Sequence, residues 1–280
     1  MQVIKHISDL QSLLNIKRKE GLKIGFVPTM GALHEGHLSL VEKAGQETDF
    51  VVVSVFVNPT QFNDKGDLDR YPRNLDKDVI LLSPTPCQLV FAPEVNEIYP
   101  EPDTRQFNFG ILEQVMEGKF RPGHFNGVAQ VVSKLFDIVG PDKAFFGQKD
   151  FQQLAIIKEM VHRLNMTVEI VPCPIIREVD GLAMSSRNML LSAEQRINAV
   201  HISASLFEAK NKTAEMSVEE LCKWVVNKVN ENEYLNTEYF EIVNDTTLLP
   251  VTSWDEPCKK VGCIAVHCGK IRLIDNIEFN

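Results

Sequence analysis

Nothing in the 280-residue chain approaches the run of about 18 apolar residues that a membrane helix needs, so no membrane partner is expected. The opening M-Q-V-I-K-H-I-S-D-L also lacks the apolar core of a secretory signal, and the expected compartment is the cytoplasm. Positive charge is in short supply: 29 Lys and Arg stand against 38 Asp and Glu, for a formal net charge of −9. Binding a polyanion rests on clustered Lys and Arg, so a general nucleic-acid surface is excluded and any phosphate bound here is small and locally cradled. There is no C-x-x-C pair among Cys87, Cys173, Cys222, Cys258, Cys263 and Cys268. The last three recur at even spacing, but Cys263 and Cys268 lie in a strand-like run, so they read as reduced core thiols and no protein metal site is assigned. No internal repeat, low-complexity tract, Ser-His-Asp set or Cys-His pair stands out. Chemistry by placed charge therefore comes ahead of covalent catalysis.

What is present centres on Lys23 to Leu40, K-I-G-F-V-P-T-M-G-A-L-H-E-G-H-L-S-L. Lys23 to Val27 suits a buried parallel strand, ended by Pro28. Met30 and Gly31 form a turn, and from Leu33 the apolar positions take helical spacing. A helix N-terminus has unpaired N–H groups and partial positive charge, which favours a phosphate by roughly 0.3–1 kcal/mol before any side chain acts. His34 and His37 are expected on the first helical turn, sharing one face, with Gly36 leaving room for a flat ring. A metalloprotease motif would need His at i and i+4 with Glu directly after the first, whereas these are at i and i+3. Two structural histidines at a helix cap are the plainer alternative. The strand, the Gly pair and the turn in register favour phosphate chemistry.

With 44% hydrophobic residues, the chain can fill one large or two modest cores. Residues 1–20 read as an amphipathic helix capped by Ser8 or Asp9. Phe50 to Val57 reads as a central strand covered on both faces, followed by the polar loop Asn58 to Phe62 where open α/β sheets place ligands. Gly66 to Ser83 reads as a charged loop and a helix, from which Tyr71, Arg73 and Asp78 could reach a site beside Gln61. Pro93 to Arg105 reads as a surface excursion without chemistry. A helix is expected to break at Gly118, and Arg121 and His124 before the next helix fit either an anion gate or a structural role. Phe145 to Gln153 is a second strand, Gly turn and helix start, with Lys149 placed for a phosphate and Asp150 able to cap the helix or reach a ribose or a metal. A strand over Thr167 to Val171 and Pro172-Cys173-Pro174 then mark a boundary. Beyond it, Met184-Ser185-Ser186-Arg187-Asn188 offers two hydroxyls and a guanidinium for a polyphosphate. The expected fold is α/β: a Rossmann-like parallel-sheet domain over 1–174 and a smaller C-terminal α+β lid domain over 175–280, closing over the site.

Gly31-x-x-His34-x-Gly36-His37 is similar to the His-x-Gly-His signature of the nucleotidyltransferase superfamily, shared with class I aminoacyl-tRNA synthetases. The longer string from Pro28 to His37 resembles the pantoate–β-alanine ligase family. So do, in order, Asn58 to Phe62, Arg121 to Phe125, Phe146 to Gln153 and Met184 to Asn188. The resemblance implies an ATP-dependent ligase joining pantoate to β-alanine through pantoyl adenylate, with AMP and pyrophosphate released and Mg2+ carried by the ATP phosphates. It implies that Met30, Gly31, His34, Gly36 and His37 hold ATP, with His37 the catalytic acid and His34 its companion. Gly147, Gln148, Lys149, Asp150, Ile176, Met184, Ser185, Ser186 and Arg187 would complete the ATP site, Lys149 and Arg187 with catalytic parts. Asn58, Gln61 and Gln153 would grip pantoate, Gln61 also β-alanine. A homodimer is implied as well. Where the synthetases carry Lys-Met-Ser-Lys-Ser, Ala183 and Arg187 replace the lysines here, so the cationic work falls to Lys149 and Arg187. A ligase for a different acid, or a nucleotide-binding regulator without catalysis, are the competing readings.

Overall fold

A computed structural model describes residues 1–62 and 65–279. In chain order the elements begin with β1 (Gln2–Ile4), α1 (Ile7–Lys19), β2 (Ile24–Thr29), α2 (Glu35–Glu47), β3 (Phe50–Val55), α3 (Lys65–Arg70), α4 (Leu75–Leu82), β4 (Cys87–Phe91) and α5 (Val95–Ile98). They continue with α6 (Met116–Phe120), α7 (His124–Val139), β5 (Lys143–Gly147), α8 (Phe151–Arg163), β6 (Glu169–Cys173), α9 (Ala193–Lys210), α10 (Val218–Asn230), β7 (Leu235–Asn244), β8 (Lys260–Cys268) and β9 (Ile271–Phe279). Contacts divide the chain into one unit of Met1–Phe109, Arg121–Gln148 and Gln153–Pro174, and another of Gly110–Phe120, Lys149–Gln152 and Ile175–Asn280.

The first unit is built on a parallel sheet in the order β1-β4-β3-β2-β5-β6. The unalternating apolar run of β3 is there because both its faces are covered. Val51 and Val53 pack with Val41 and Ala44 of α2, while the other face carries Phe26, edge-on to Phe136 of α7 at 6.3 Å. From β2 the chain winds outward through β3 and β4, then returns to place β5 on the opposite side of β2. The strand order thus reverses between β2 and β5, the point where open α/β sheets receive ligands.

Several local expectations change. Residues 2–4 form a short edge strand instead of helix, because Gln2, Val3 and Ile4 pair with Leu89, Val90 and Phe91, and His6 takes the cap position of α1. Pro28 does not end β2. The Ile24 carbonyl accepts from Asp142 N–H on the β5 side, so Pro28, four residues on, turns its missing donor the same way, past the last paired residues Phe26 and Ala144. Pro172 likewise sits inside β6, which is tolerated because β6 is an edge. The charged 66–83 stretch holds two helices, and Gly118 lies within α6.

The second unit carries the antiparallel sheet β7-β8-β9, whose apolar face, with Ile264, Val266 and Leu273, packs against Leu206 of α9 and Leu221 and Val225 of α10. Two stretches from earlier in the chain are fastened inside this unit. The Gln152 amide donates to the Leu112 and Val115 carbonyls and accepts from Glu117 N–H. Glu117 in turn receives Arg272 through both guanidinium nitrogens at 2.7 and 2.8 Å, and the Tyr239 hydroxyl at 2.8 Å.

Candidate active site

In the first unit the turn after β2 is held in an unusual backbone shape. Gly31 has φ +79° and Ala32 follows at φ +51°, both left-handed. A side chain at Gly31 would meet the Asp78 carboxyl at 2.9 Å and Val55 at 3.0 Å, so only glycine fits. The Ala32 strain is held by Asp78 of α4, whose two oxygens accept from the Ala32 and Leu33 N–H groups at 3.1 and 2.8 Å. Burial pushes the Asp78 carboxyl up, and the two backbone bonds pull it back in part. Both carboxylate oxygens of Asp78 are thus engaged by this turn. Its work is to shape the turn that delivers the histidines.

His34 is not on the helix. It is the N-cap of α2 in extended backbone, and His37 is the third helical residue. Gly36 N–H donates to His34 Nδ1 at 3.1 Å, and His34 N–H donates to His37 Nδ1 at 3.3 Å, a capping box made of two imidazoles. Their centroids are 4.1 Å apart. With Nδ1 accepting, each neutral ring carries its proton on Nε2. Structural capping thus engages Nδ1 of both rings.

After β3, Asn58 caps the 3-10 turn Pro59–Gln61, and the Gln61 amide nitrogen reaches Met30 Sδ at 3.0 Å, joining the turns that follow β2 and β3. The Gln61 backbone is fixed from α7: buried His124 donates from Nδ1 to the Gln61 carbonyl at 2.8 Å, while Arg121 donates to His124 Nε2 at 3.1 Å. An arginine can only donate, which settles the tautomer. Arg121 and His124 so placed brace the Gln61 backbone. Gly127 lets α7 approach, since a Cβ there would lie 2.4 Å from the Thr60 carbonyl. Tyr99, in the stretch read as chemically empty, donates its hydroxyl to Asn58 at 3.0 Å. The available signal was position: the stretch follows the C-terminal end of a parallel strand, the edge where the loops of all such strands gather. Gly147 and Gln148 close β5 at that edge, and Gln153 is half-buried on α8. A cavity of about 500 Å³ lined by Arg105, Asp137, Pro141 and Val168 lies by the residues preceding β5 and β6, at the opposite edge.

In the second unit Lys149 lies 3.6 Å from Asp150, which directly precedes α8. The Lys149 carbonyl accepts from Asn276 at 3.0 Å, and neighbouring Asp275 takes a bidentate bond from Arg177 at 2.7 and 3.0 Å. Burial pushes the Asp275 carboxyl up, against the pull of Arg177. Met184 N–H donates to the Ile176 carbonyl, the Ser185 hydroxyl caps the 3-10 turn Ser186–Leu190 by accepting from Arg187 N–H, and Ser186 is buried. An accepting hydroxyl keeps its own proton to donate. Among the described residues no group of three His, Cys, Asp or Glu could hold a metal ion, and no helix is long and apolar enough to cross a membrane.

Comparison with known proteins gives a consistent result. Residues 2–278 match the family described as Pantoate-beta-alanine ligase. A pantothenate synthetase of Bacteroides thetaiotaomicron is 56% identical over 279 residues, covering 100% of this chain and 99% of the relative. Among solved structures, the pantothenate synthetase of Thermus thermophilus superposes with a TM-score of 0.93 at 42% identity over 100% of both chains. A pantoate-beta-alanine ligase of Francisella tularensis, complexed with beta-gamma ATP and beta-alanine, does so with 0.81 at 35% identity over 99% of this chain and 97% of that one. On this match along its whole length, the chain belongs to the pantoate–β-alanine ligase family.

Proposed function

We propose that this chain forms pantothenate from pantoate and β-alanine at the expense of ATP, through a pantoyl adenylate. A pantoate carboxylate oxygen attacks the α-phosphorus and the bond to pyrophosphate breaks. The β-alanine nitrogen then attacks the acyl carbon of the mixed anhydride, loses a proton, and AMP departs. No protein nucleophile is needed: charge developing on the phosphates must be met by placed donors and the attacking oxygen aligned. The observation that carries the reading is the imidazole pair at the start of α2, beside the strand-order reversal, with both rings held through Nδ1 by backbone N–H groups. His37, within the helix, donates to the departing phosphate as the acid, and His34 supports it.

Met30, Gly31 and Gly36 shape the nucleotide site, with Gly147 and Gln148 at the end of β5. Lys149, Asp150, Ile176, Met184, Ser185, Ser186 and Arg187 carry the further ATP contacts implied by the family, with Lys149 and Arg187 supplying positive charge. Gln61 and Gln153 hold pantoate, Asn58 supports Gln61, and Gln61 also borders β-alanine. Mg2+ enters on the triphosphate, which suits an ion that keeps its waters and binds through substrate phosphates with one or two carboxylates at most; Asp150 is such a carboxylate. A homodimer and a cytoplasmic setting complete the proposal, supported by the family and by six cysteines that are all free thiols. Light scattering checks the dimer.

The deciding experiment incubates the chain with ATP, magnesium, pantoate and β-alanine. AMP that appears only when all are present supports the reading. AMP formed equally well with another small acid in place of pantoate moves the assignment to a ligase of different specificity.

A further inference from the structure

Asn58 is almost wholly buried, and its amide is engaged at both ends. Its orientation follows from two neighbours that each allow a single role. The Gly127 carbonyl, 3.1 Å away, only accepts, so it must face the amide nitrogen. The Thr60 N–H, at 3.4 Å, only donates, so it must face the amide oxygen. That oxygen also takes the Thr60 hydroxyl at 3.1 Å and the Tyr99 hydroxyl at 3.0 Å. The second proton of the Asn58 nitrogen then points at Gln61, 3.2 Å away, which must answer with its own oxygen. The Gln61 nitrogen is left on the side of Met30, to whose Sδ it donates at 3.0 Å.

We propose that Tyr99 is a positioning residue for the bound acid: the Gly127 carbonyl and the Thr60 N–H set which way the Asn58 amide faces, and the Tyr99 hydroxyl, donating to the Asn58 oxygen, holds that amide where its nitrogen meets the Gln61 oxygen, so that Gln61 presents its nitrogen to an oxygen acceptor on the substrate. This rests on the assignment of Gln61 to pantoate. The Tyr99 ring is itself held, tilted against Phe56 at 6.3 Å and beneath the Lys134 ammonium at 5.3 Å, so its hydroxyl has a fixed origin. Every link lies within the first unit. Without the Tyr99 hydroxyl the Asn58 oxygen keeps only its Thr60 partners, and the Asn58 nitrogen meets the Gln61 oxygen less firmly.

The test uses pantoate-dependent ATP–pyrophosphate exchange, which reads the first half-reaction without β-alanine. Tyr99→Phe keeps the ring and removes the hydroxyl. The expected result is a pantoate KM raised about 3- to 10-fold, the worth of one hydrogen bond, with kcat and the ATP KM close to wild type. Thr60→Val removes the other hydroxyl from the same oxygen and moves the pantoate KM in the same direction, which keeps the test decisive should Tyr99→Phe fail to fold. A pantoate KM within about twofold of wild type in the folded variants, or a fall in kcat with the KM unmoved, overturns the proposal. A wild-type chain with no pantoate-dependent exchange removes the ligase reading instead, a separate outcome.

Discussion

Replacing Asp78 by Asn tests whether the histidine-bearing turn is held from α4. The substitution keeps size and one accepting oxygen but turns an NH2 group toward one of the two backbone donors at Ala32 and Leu33. A buried donor left without an acceptor costs about 1–3 kcal/mol. The loss of a buried carboxyl offsets part of that, since burial already disfavours its charged form. The net expectation is about 1–2 kcal/mol of lost stability in urea unfolding at neutral pH, set against Asp76→Asn, an exposed position on the same helix, which should be silent. The sign of the pH dependence follows from the raised pKa. A carboxyl that titrates higher folded than unfolded contributes most below the ordinary aspartate range, and this is lost as pH rises through its folded value. The lead of wild type over Asp78→Asn is therefore larger at acid pH and narrows toward neutrality. Ala32 is released from its left-handed conformation as the bond breaks, so the imidazoles move; a shift on the order of 1 Å corresponds to a fall of about 100-fold in kcat/KM for ATP. An Asp78→Asn chain with wild-type midpoint and wild-type kcat/KM would refute the account.

Lys149→Ala is expected to lower adenylate formation by about 10²–10³-fold, measured as pyrophosphate release; less than about tenfold in a folded chain would remove Lys149 from the mechanism. His37→Ala should lose about 10²–10⁴-fold in the same assay. His34→Ala should in addition lower the melting temperature, because it removes the α2 cap, worth about 1 kcal/mol. Arg272→Met removes the guanidinium that Glu117 and Glu238 share in the second unit, leaving them the Tyr239 hydroxyl and His267, at a cost of about 3–5 kcal/mol in urea unfolding. Adding Glu117→Gln should recover part of that loss.

Much of the first unit is legible from local pattern, because β3 is a long apolar run and α7 and α8 have helical periodicity. The stretch from Lys23 to Leu40 declares a strand, a turn and a helix by itself. What is not legible depends on partners distant in sequence. A three-residue strand such as β1 carries no periodicity, and it exists because β4 is beside it. The role of Asp78 cannot be read from its charged surroundings, since the donors it satisfies lie 45 and 46 residues away. Tyr99 sits among prolines and acids that signal a surface loop, and its hydroxyl gains a purpose only when folding brings it to Asn58. The attachment of Gln152 to residues 112–117 is hidden for the same reason: one glutamine serving three backbone groups leaves no trace in spacing.

Pro28 has one more consequence. The ladder between β2 and β3 runs on to Thr29 and Val55, whereas that between β2 and β5 stops at Phe26 and Ala144. An imino acid at this position cannot zip the second seam any further, so the two strands are free to part like the legs of a compass above their last shared rung. The fork that results sits at the end of β2 from which the chain runs on into the turn that carries the twin imidazoles.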